Sequence, residues 1–167
     1  MECLDDSTDI WEALERMSVY FDVERIAKYT KLYRSIVEST GDYQFAPNHN
    51  QFAAAVASLY IKDQRVLLSV PPGKGKSRIL AVILIIKFTL SPLMKFTIVF
   101  ASEFGKSVDC KKYQQVADFY QINLNMVVFQ PGVPIENQVR EYDFVLMDEA
   151  DEILLDNTDD SRGLKNK

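Results

Sequence analysis

The sequence predicts an α/β fold, in which a parallel sheet is covered by helices on both faces. Short apolar runs bounded by turn residues alternate with helical stretches along most of the chain, and parallel sheets are built in that order. The length of 167 residues and the 47% hydrophobic content fit one globular domain with a sizeable core. An α/β domain is therefore expected to form most of the chain.

Hydrophobic spacing and turn residues predict the individual elements. An N-terminal helix that ends at Met17 is expected to be capped by Ser7, Thr8 or Asp9. Further helices are expected over residues 22–39, 51–60, 76–89 and 105–120. Buried strands are expected over residues 65–70, 96–100, 124–129 and 144–147. We thus expect a helical appendage at 1–41, an α/β domain at 42–156 and a polar tail at 157–167.

Composition and charge exclude several classes of protein. The net charge of −5 argues against a wholly basic protein that coats nucleic acid. Cys3 and Cys110 form no CxxC pattern, and the lone His49 excludes histidine-based zinc sites. The first residues show no signal-peptide pattern, so none is expected, and the apolar stretch at 79–86 is too short to span a bilayer. A reducing, intracellular and cytoplasmic setting is expected, and the oligomeric state is left open.

The strongest motif is Val70-Pro-Pro-Gly-Lys-Gly-Lys-Ser77. It follows a predicted strand and opens a predicted helix, which is the context of a phosphate-binding loop. Glycines at 73 and 75 allow backbone N–H groups to point at one place, and the positive end of the helix dipole faces the same place. Lys76 is expected to contact the β- and γ-phosphates, and the Ser77 hydroxyl to bind Mg²⁺. The formal pattern has glycine where this chain has Val70, a position that many such families relax.

A second motif is the acidic segment that follows the predicted strand at 144–147. Asp148 and Glu149 come directly after it, at the strand end where parallel sheets bind ligands. Asp148 is expected to hold Mg²⁺, and Glu149 to polarise the water that attacks the γ-phosphate. Because the phosphate loop leaves its own predicted strand at the same kind of end, both motifs are expected to serve one nucleotide.

With both motifs in place, the chain resembles the first RecA-like domain of superfamily 2 helicases and translocases. Pro71–Ser77 resembles their motif I, and Asp148-Glu-Ala-Asp151 is a literal DEAD box. The resemblance implies a P-loop NTPase fold with ATP and Mg²⁺ as cofactors. It also implies that Gln51 reads the adenine edge, since an amide can both donate and accept. The residues expected to bind the cofactor are Gln51, Pro72, Gly73, Lys74, Gly75, Lys76, Ser77 and Arg78.

Two subfamilies remain open. DEAD-box RNA helicases contact RNA through arginines that are missing from the corresponding segments here, 101–105 and 130–133. Lys106, Lys111, Lys112 and Arg140 would have to form a substitute basic surface. The segment 148–156 is similar to the DEVDSILID stretch of SecA-type protein translocases, although the GEGKT loop of that family is replaced. RNA and polypeptide are therefore both candidate polymer partners.

The resemblance further implies a second RecA-like domain that supplies arginine fingers. Only a short polar stretch follows Asp151, so we expect either a piece of a longer motor or a degenerate relative. The first hypothesis is an ATP-dependent motor domain, and the alternative is an ATP-binding interaction module without motor activity. Slow ATP hydrolysis is expected for this chain alone, because no arginine finger is identifiable in it. Such a residue can raise the rate of hydrolysis by a factor of about 10³–10⁵.

Overall fold

A computed structural model describes residues 5–16, 23–39, 46–60 and 66–154. By its internal contacts the chain divides into two compact units, residues 1–87 and 88–167.

The first unit is built from helices: α1 (Asp5–Arg16), α2 (Val23–Ser39), α3 (His49–Tyr60) and α4 (Lys76–Leu90), the last of which ends in the second unit. Helix α1 packs against both α2 and α3. Apolar side chains from these helices are almost fully buried, among them Ile10, Leu14, Ile36, Phe52 and Val56. Every residue of α4 from Ile79 to Ile86 is buried, which explains why that stretch is apolar on all sides.

The second unit contains a three-stranded sheet and the helices α5 to α7. Its elements are β1 (Phe96–Phe100), α5 (Glu103–Tyr120), β2 (Leu124–Val128), α6 (Ile135–Val139), β3 (Phe144–Asp148) and α7 (Ala150–Leu154). The three strands are parallel in the order β2-β1-β3. Helix α5 packs on β1 and β2, and its Tyr113 ring lies 6.0 Å from the ring of Phe100. The α/β class with a parallel sheet is thus confirmed.

The strands end in register at one edge of the sheet. Phe100, the last residue of β1, pairs with Val128 of β2 and with Asp148 of β3. All five residues of β1 are buried, as expected for the central strand of a parallel sheet. The segments that follow these three strands therefore start side by side.

The strand predicted over residues 65–70 is wrong in the part that the structure describes. Residues 66–70 have no regular secondary structure, and Leu67 is 77% exposed. An apolar run indicates burial, whereas a strand also needs a neighbour that supplies ladder hydrogen bonds. No strand pairing involves residues 66–70, because the pairings that the structure describes all join β1 to β2 or β3.

Other predicted elements are confirmed with shifted boundaries. Helix α1 already includes Ser7, Thr8 and Asp9, so the prediction that one of them caps it is wrong. Acidic residues are favourable in the first turn of a helix, which lets this helix begin earlier. Helix α5 begins two residues before its predicted start because the Ser102 side chain caps it, accepting a hydrogen bond from Gly105 N. Helices α6 and α7 were not predicted.

Two predictions fall on residues outside the described ranges: the end of the first helix at Met17 and the polar tail at 157–167. Across the ranges that are described, no helix is both long enough and apolar enough to cross a membrane.

Candidate phosphate site and acidic strand end

The phosphate loop leads directly into helix α4. Gly73 and Gly75 have φ angles of +74° and +81°, a region that residues with a side chain rarely adopt. Gly75 O accepts hydrogen bonds from Arg78 N at 3.0 Å and Ile79 N at 3.1 Å, so the first helical turn closes on this glycine. Helix α4 begins at Lys76. The amides at its N-terminus point out of the helix toward the loop, which is the arrangement that binds anions.

Exposure to solvent varies along the loop. Pro72, Gly73, Lys74 and Arg78 are exposed, and Gly75, Lys76 and Ser77 are partly buried. The two residues expected to touch phosphate and metal, Lys76 and Ser77, are the first two residues of α4.

Gln51 reaches the loop from helix α3. Its Nε2 donates a hydrogen bond of 2.9 Å to the carbonyl of Lys74, and the side chain is buried, with the residue 8% exposed. A methyl group at Gly75 would lie 2.3 Å from Gln51 Nε2. The Gln51 amide therefore covers Gly75 at a distance that no larger residue permits.

Asn48 holds Gln51 in that position. The backbone N–H of Gln51 donates to Asn48 Oδ1 at 2.9 Å, and the backbone N–H of Asn48 donates to Gln51 Oε1 at 3.1 Å. This reciprocal pair is a capping box at the start of α3. Sequence reasoning missed Asn48, although an asparagine three residues before a glutamine at a helix start is the signal for it.

The adenine role of Gln51 stays a prediction. An amide side chain has two N–H donors and two acceptor lone pairs. The bonds to Lys74 and Asn48 use one donor and one acceptor, which leaves the capacity for the donor–acceptor pair that reads an adenine edge.

In the second unit, β3 ends at Asp148, which is 6% exposed. Glu149 follows with a φ of +60°, and its carbonyl accepts a hydrogen bond of 3.2 Å from Ile153 N in α7. The chain thus passes from strand to helix through one residue in the left-handed region, where a side chain costs energy. The prediction that Asp148 and Glu149 emerge at the end of a strand is confirmed.

The Glu149 carboxylate lies beside the first turn of α5. A methyl group at Gly105 would be 3.6 Å from Glu149 Oε2 and 3.5 Å from Ser102 Oγ. The N-terminus of a helix carries a partial positive charge, which favours a carboxylate there. Gly105 was not predicted to matter, and a glycine inside the first turn of a helix is the signal that sequence reasoning could have used.

The loop that follows β2 is organised by Gln138 of α6. Gln138 Oε1 accepts from Gln130 N at 2.9 Å, and its Nε2 donates to Gln130 O at 3.0 Å and to Val133 O at 2.7 Å. Gly132 in this loop has a φ of +83°. One side chain therefore satisfies three backbone groups of the segment 130–133.

Of the four residues predicted to form a basic surface, one has its charge paired with a carboxylate. Lys112 Nζ lies 2.5 Å from Asp109 Oδ1 within α5, an exposed pair of the kind that contributes little energy. Lys111 and Arg140 are exposed, and Lys106 is partly buried. A role for these four residues in binding RNA stays a prediction.

The phosphate loop belongs to the first unit, and Asp148 and Glu149 belong to the second. Their joint action on one nucleotide stays a prediction.

Comparison of the chain with protein-family models, with curated proteins and with solved structures finds no significant match.

Proposed function

We propose that this chain binds ATP with Mg²⁺ as the first RecA-like domain of a superfamily 2 helicase or translocase. The observation that carries the proposal is the loop before α4, where Gly73 and Gly75 both have positive φ and the helix begins at Lys76. This shape directs helix N-terminal amides at an anion, and a triphosphate is the anion that the Gly-Lys-Ser sequence fits.

The end of β3 supports the second half of the proposal. Asp148 is a carboxylate at the C-terminal edge of a parallel sheet, and Glu149 is the next residue. Asp148 and the Ser77 hydroxyl are oxygen ligands of the kind that Mg²⁺ takes. In the proposed reaction Lys76 neutralises charge on the transferred phosphate, and Glu149 accepts a proton from the attacking water.

The polymer on which such a motor acts, RNA or polypeptide, would be bound together with a second RecA-like domain. An intracellular setting accords with ATP as the ligand and with the free thiol of Cys110.

Nucleotide affinity tests the proposal. Titration of a fluorescent ATP analogue with Mg²⁺ should show saturable binding to the wild-type chain and none to Lys76→Ala. Lys74→Ala is the matched control, because Lys74 lies two residues before Lys76, carries the same charge and is exposed. The affinity of this variant for the analogue should fall only a few-fold. Equal affinities for wild type and Lys76→Ala would overturn the phosphate-loop assignment.

Turnover separates the motor domain from the alternative, an interaction module that only binds ATP. Glu149→Gln should retain nucleotide affinity and lose the slow hydrolysis of the wild-type chain, since the amide cannot accept the proton. If wild type and Glu149→Gln bind ATP equally and neither hydrolyses it, even with an added second domain, the module is the correct assignment.

A further inference from the structure

The start of helix α3 is joined to α1 by a contact between two polar side chains. His49, the first residue of α3, places its Nδ1 3.1 Å from Asp9 Oδ2 of α1. Both side chains are partly buried, with exposures of 27% for His49 and 40% for Asp9. The contact therefore joins two helices at a defined point and is less screened than a fully exposed pair.

Tyr33 of helix α2 also contacts the first turn of α3. The Tyr33 ring lies 4.9 Å from the His49 ring and 5.2 Å from the Phe52 ring. Tyr33 Oη donates a hydrogen bond of 3.2 Å to the carbonyl of Pro47, just before α3 begins. The first turn of α3 is thus held by two tilted ring contacts and a hydrogen bond as well as by Asp9.

The other end of α2 is held against the end of α3. The Arg25 guanidinium lies 6.0 Å from the centre of the Tyr60 ring, a cation–π distance. Burial raises the pKa of the nearby Tyr29 phenol, an effect that the Arg25 charge opposes and Tyr60 adds to. Helix α2 therefore contacts α3 near both ends of α3.

The first turn of α3 also contacts the phosphate loop. Gln51 lies in this turn, is oriented by Asn48 and donates to the carbonyl of Lys74. Because the Gln51 amide lies directly over Gly75, a shift of the first turn of α3 moves the Gln51 amide relative to the loop glycine. A continuous series of contacts thus leads from Asp9 through His49 and Gln51 to the loop.

We infer that α1 and α2 set the nucleotide affinity of the phosphate loop, with His49 as the positioning residue that transmits the contact. The inference rests on the proposed function for its ligand, ATP, and on the first unit alone for its geometry. A partner that displaced α1 from His49 would by the same route weaken nucleotide binding. The helical N-terminal segment is then a regulatory element of the site.

Variants of the Asp9–His49 contact test the inference. His49→Phe keeps a ring beside Tyr33 and removes the N–H donor, and Asp9→Ala removes the acceptor. Each should weaken binding of the ATP analogue by up to about tenfold, which is the equivalent of one ordinary hydrogen bond. His49→Asn, which restores a donor, should recover part of the loss. Glu12→Ala is the control, because Glu12 pairs within α1 with Arg16 at 3.2 Å; its affinity should equal that of wild type.

Amide hydrogen exchange without nucleotide gives a second readout. In His49→Phe the amides of residues 73–77 should exchange faster than in wild type, whereas those of β1 to β3 should not change. Unchanged exchange at 73–77 together with wild-type affinity would overturn the inference, because a purely structural contact would alter only the helices. If the wild-type chain binds no nucleotide, the proposed function fails, and the exchange comparison still decides whether α1 braces the loop.

Discussion

Gly73 and Gly75 both have positive φ, but their surroundings differ. A methyl group at Gly73 would meet nothing within 4 Å, whereas one at Gly75 would lie 2.3 Å from Gln51 Nε2 and 3.3 Å from its Cδ. Gly73 is therefore required by backbone conformation only. Gly75 is required by conformation and by the close approach of the Gln51 amide.

This difference predicts unequal costs for the two alanine substitutions. Gly73→Ala should lower the free energy of unfolding by about 1 kcal/mol, the cost of a side chain in the left-handed region. Gly75→Ala should lower it by about 2–4 kcal/mol, since it also displaces Gln51 from two hydrogen bonds. Urea unfolding followed by circular dichroism measures both values.

A double-mutant cycle separates the two causes. In a Gln51→Ala background the cost of Gly75→Ala should fall to about that of Gly73→Ala, near 1 kcal/mol. The same cost for Gly75→Ala with and without Gln51 would show that the two residues are not in contact in solution.

The residues proposed for the candidate site come from local patterns in the chain, whereas their contacts could not be predicted. The Gly-Lys-Ser sequence and the DEAD box are local patterns, and each depends on a few consecutive residues. The contact of Gln51 with Gly75 and that of Glu149 with Gly105 join segments far apart in the sequence. No local pattern encodes these two contacts, whereas Asn48 carries a local capping signal that was overlooked.

At the level of elements, the junction between β3 and α7 consists of a single strained residue. Glu149 has a φ of +60°, and its carbonyl begins the hydrogen bonding of α7. Strain of this kind is often held at functional sites at the expense of stability. The junction should therefore become more stable when its side chain is removed.

Glu149→Gly tests this expectation. Glycine adopts positive φ without a steric cost, so the free energy of unfolding of Glu149→Gly should exceed that of Glu149→Ala, which lacks the same carboxylate, by about 1 kcal/mol. Any hydrolysis should be lost in both variants. At Asp151, an exposed position within α7, the order should reverse, and Asp151→Gly should be less stable than Asp151→Ala by about 1 kcal/mol. A lower stability of Glu149→Gly than of Glu149→Ala would mean that Glu149 is not strained.

Elements with a strong periodic or apolar pattern were predicted well, because burial and spacing decide them. Helix α4 and strand β1 are examples, and both are buried throughout their centres. The segment at 66–70 has the same apolar composition but no strand, because pairing depends on a partner elsewhere in the chain. The short helices α6 and α7, of five residues each, carry too little pattern to be recognised.

Over the whole molecule, the N-terminal helices and the phosphate loop belong to one compact unit. Composition alone treats residues 1–41 as an appendage, since an amphipathic helix pair carries no information about what it packs on. The contacts of His49 with Asp9 and Tyr33 give those helices a route to the loop. Regulation of the site by its own N-terminal segment is a property of the assembled unit.

Nuclear magnetic resonance of the isotope-labelled chain, in which ATP binding is mapped on the amide resonances, tests whether the loop before α4 binds nucleotide. When ATP and Mg²⁺ are added together, the amide resonances of Gly73 to Ser77 should shift most. Those of Asp148 and Glu149 should also shift, but not when ATP is added without Mg²⁺. Lys76→Ala should abolish both groups of shifts. If ATP leaves residues 73–77 unperturbed, or shifts resonances only elsewhere in the chain, the loop before α4 is not a nucleotide site and the account is wrong.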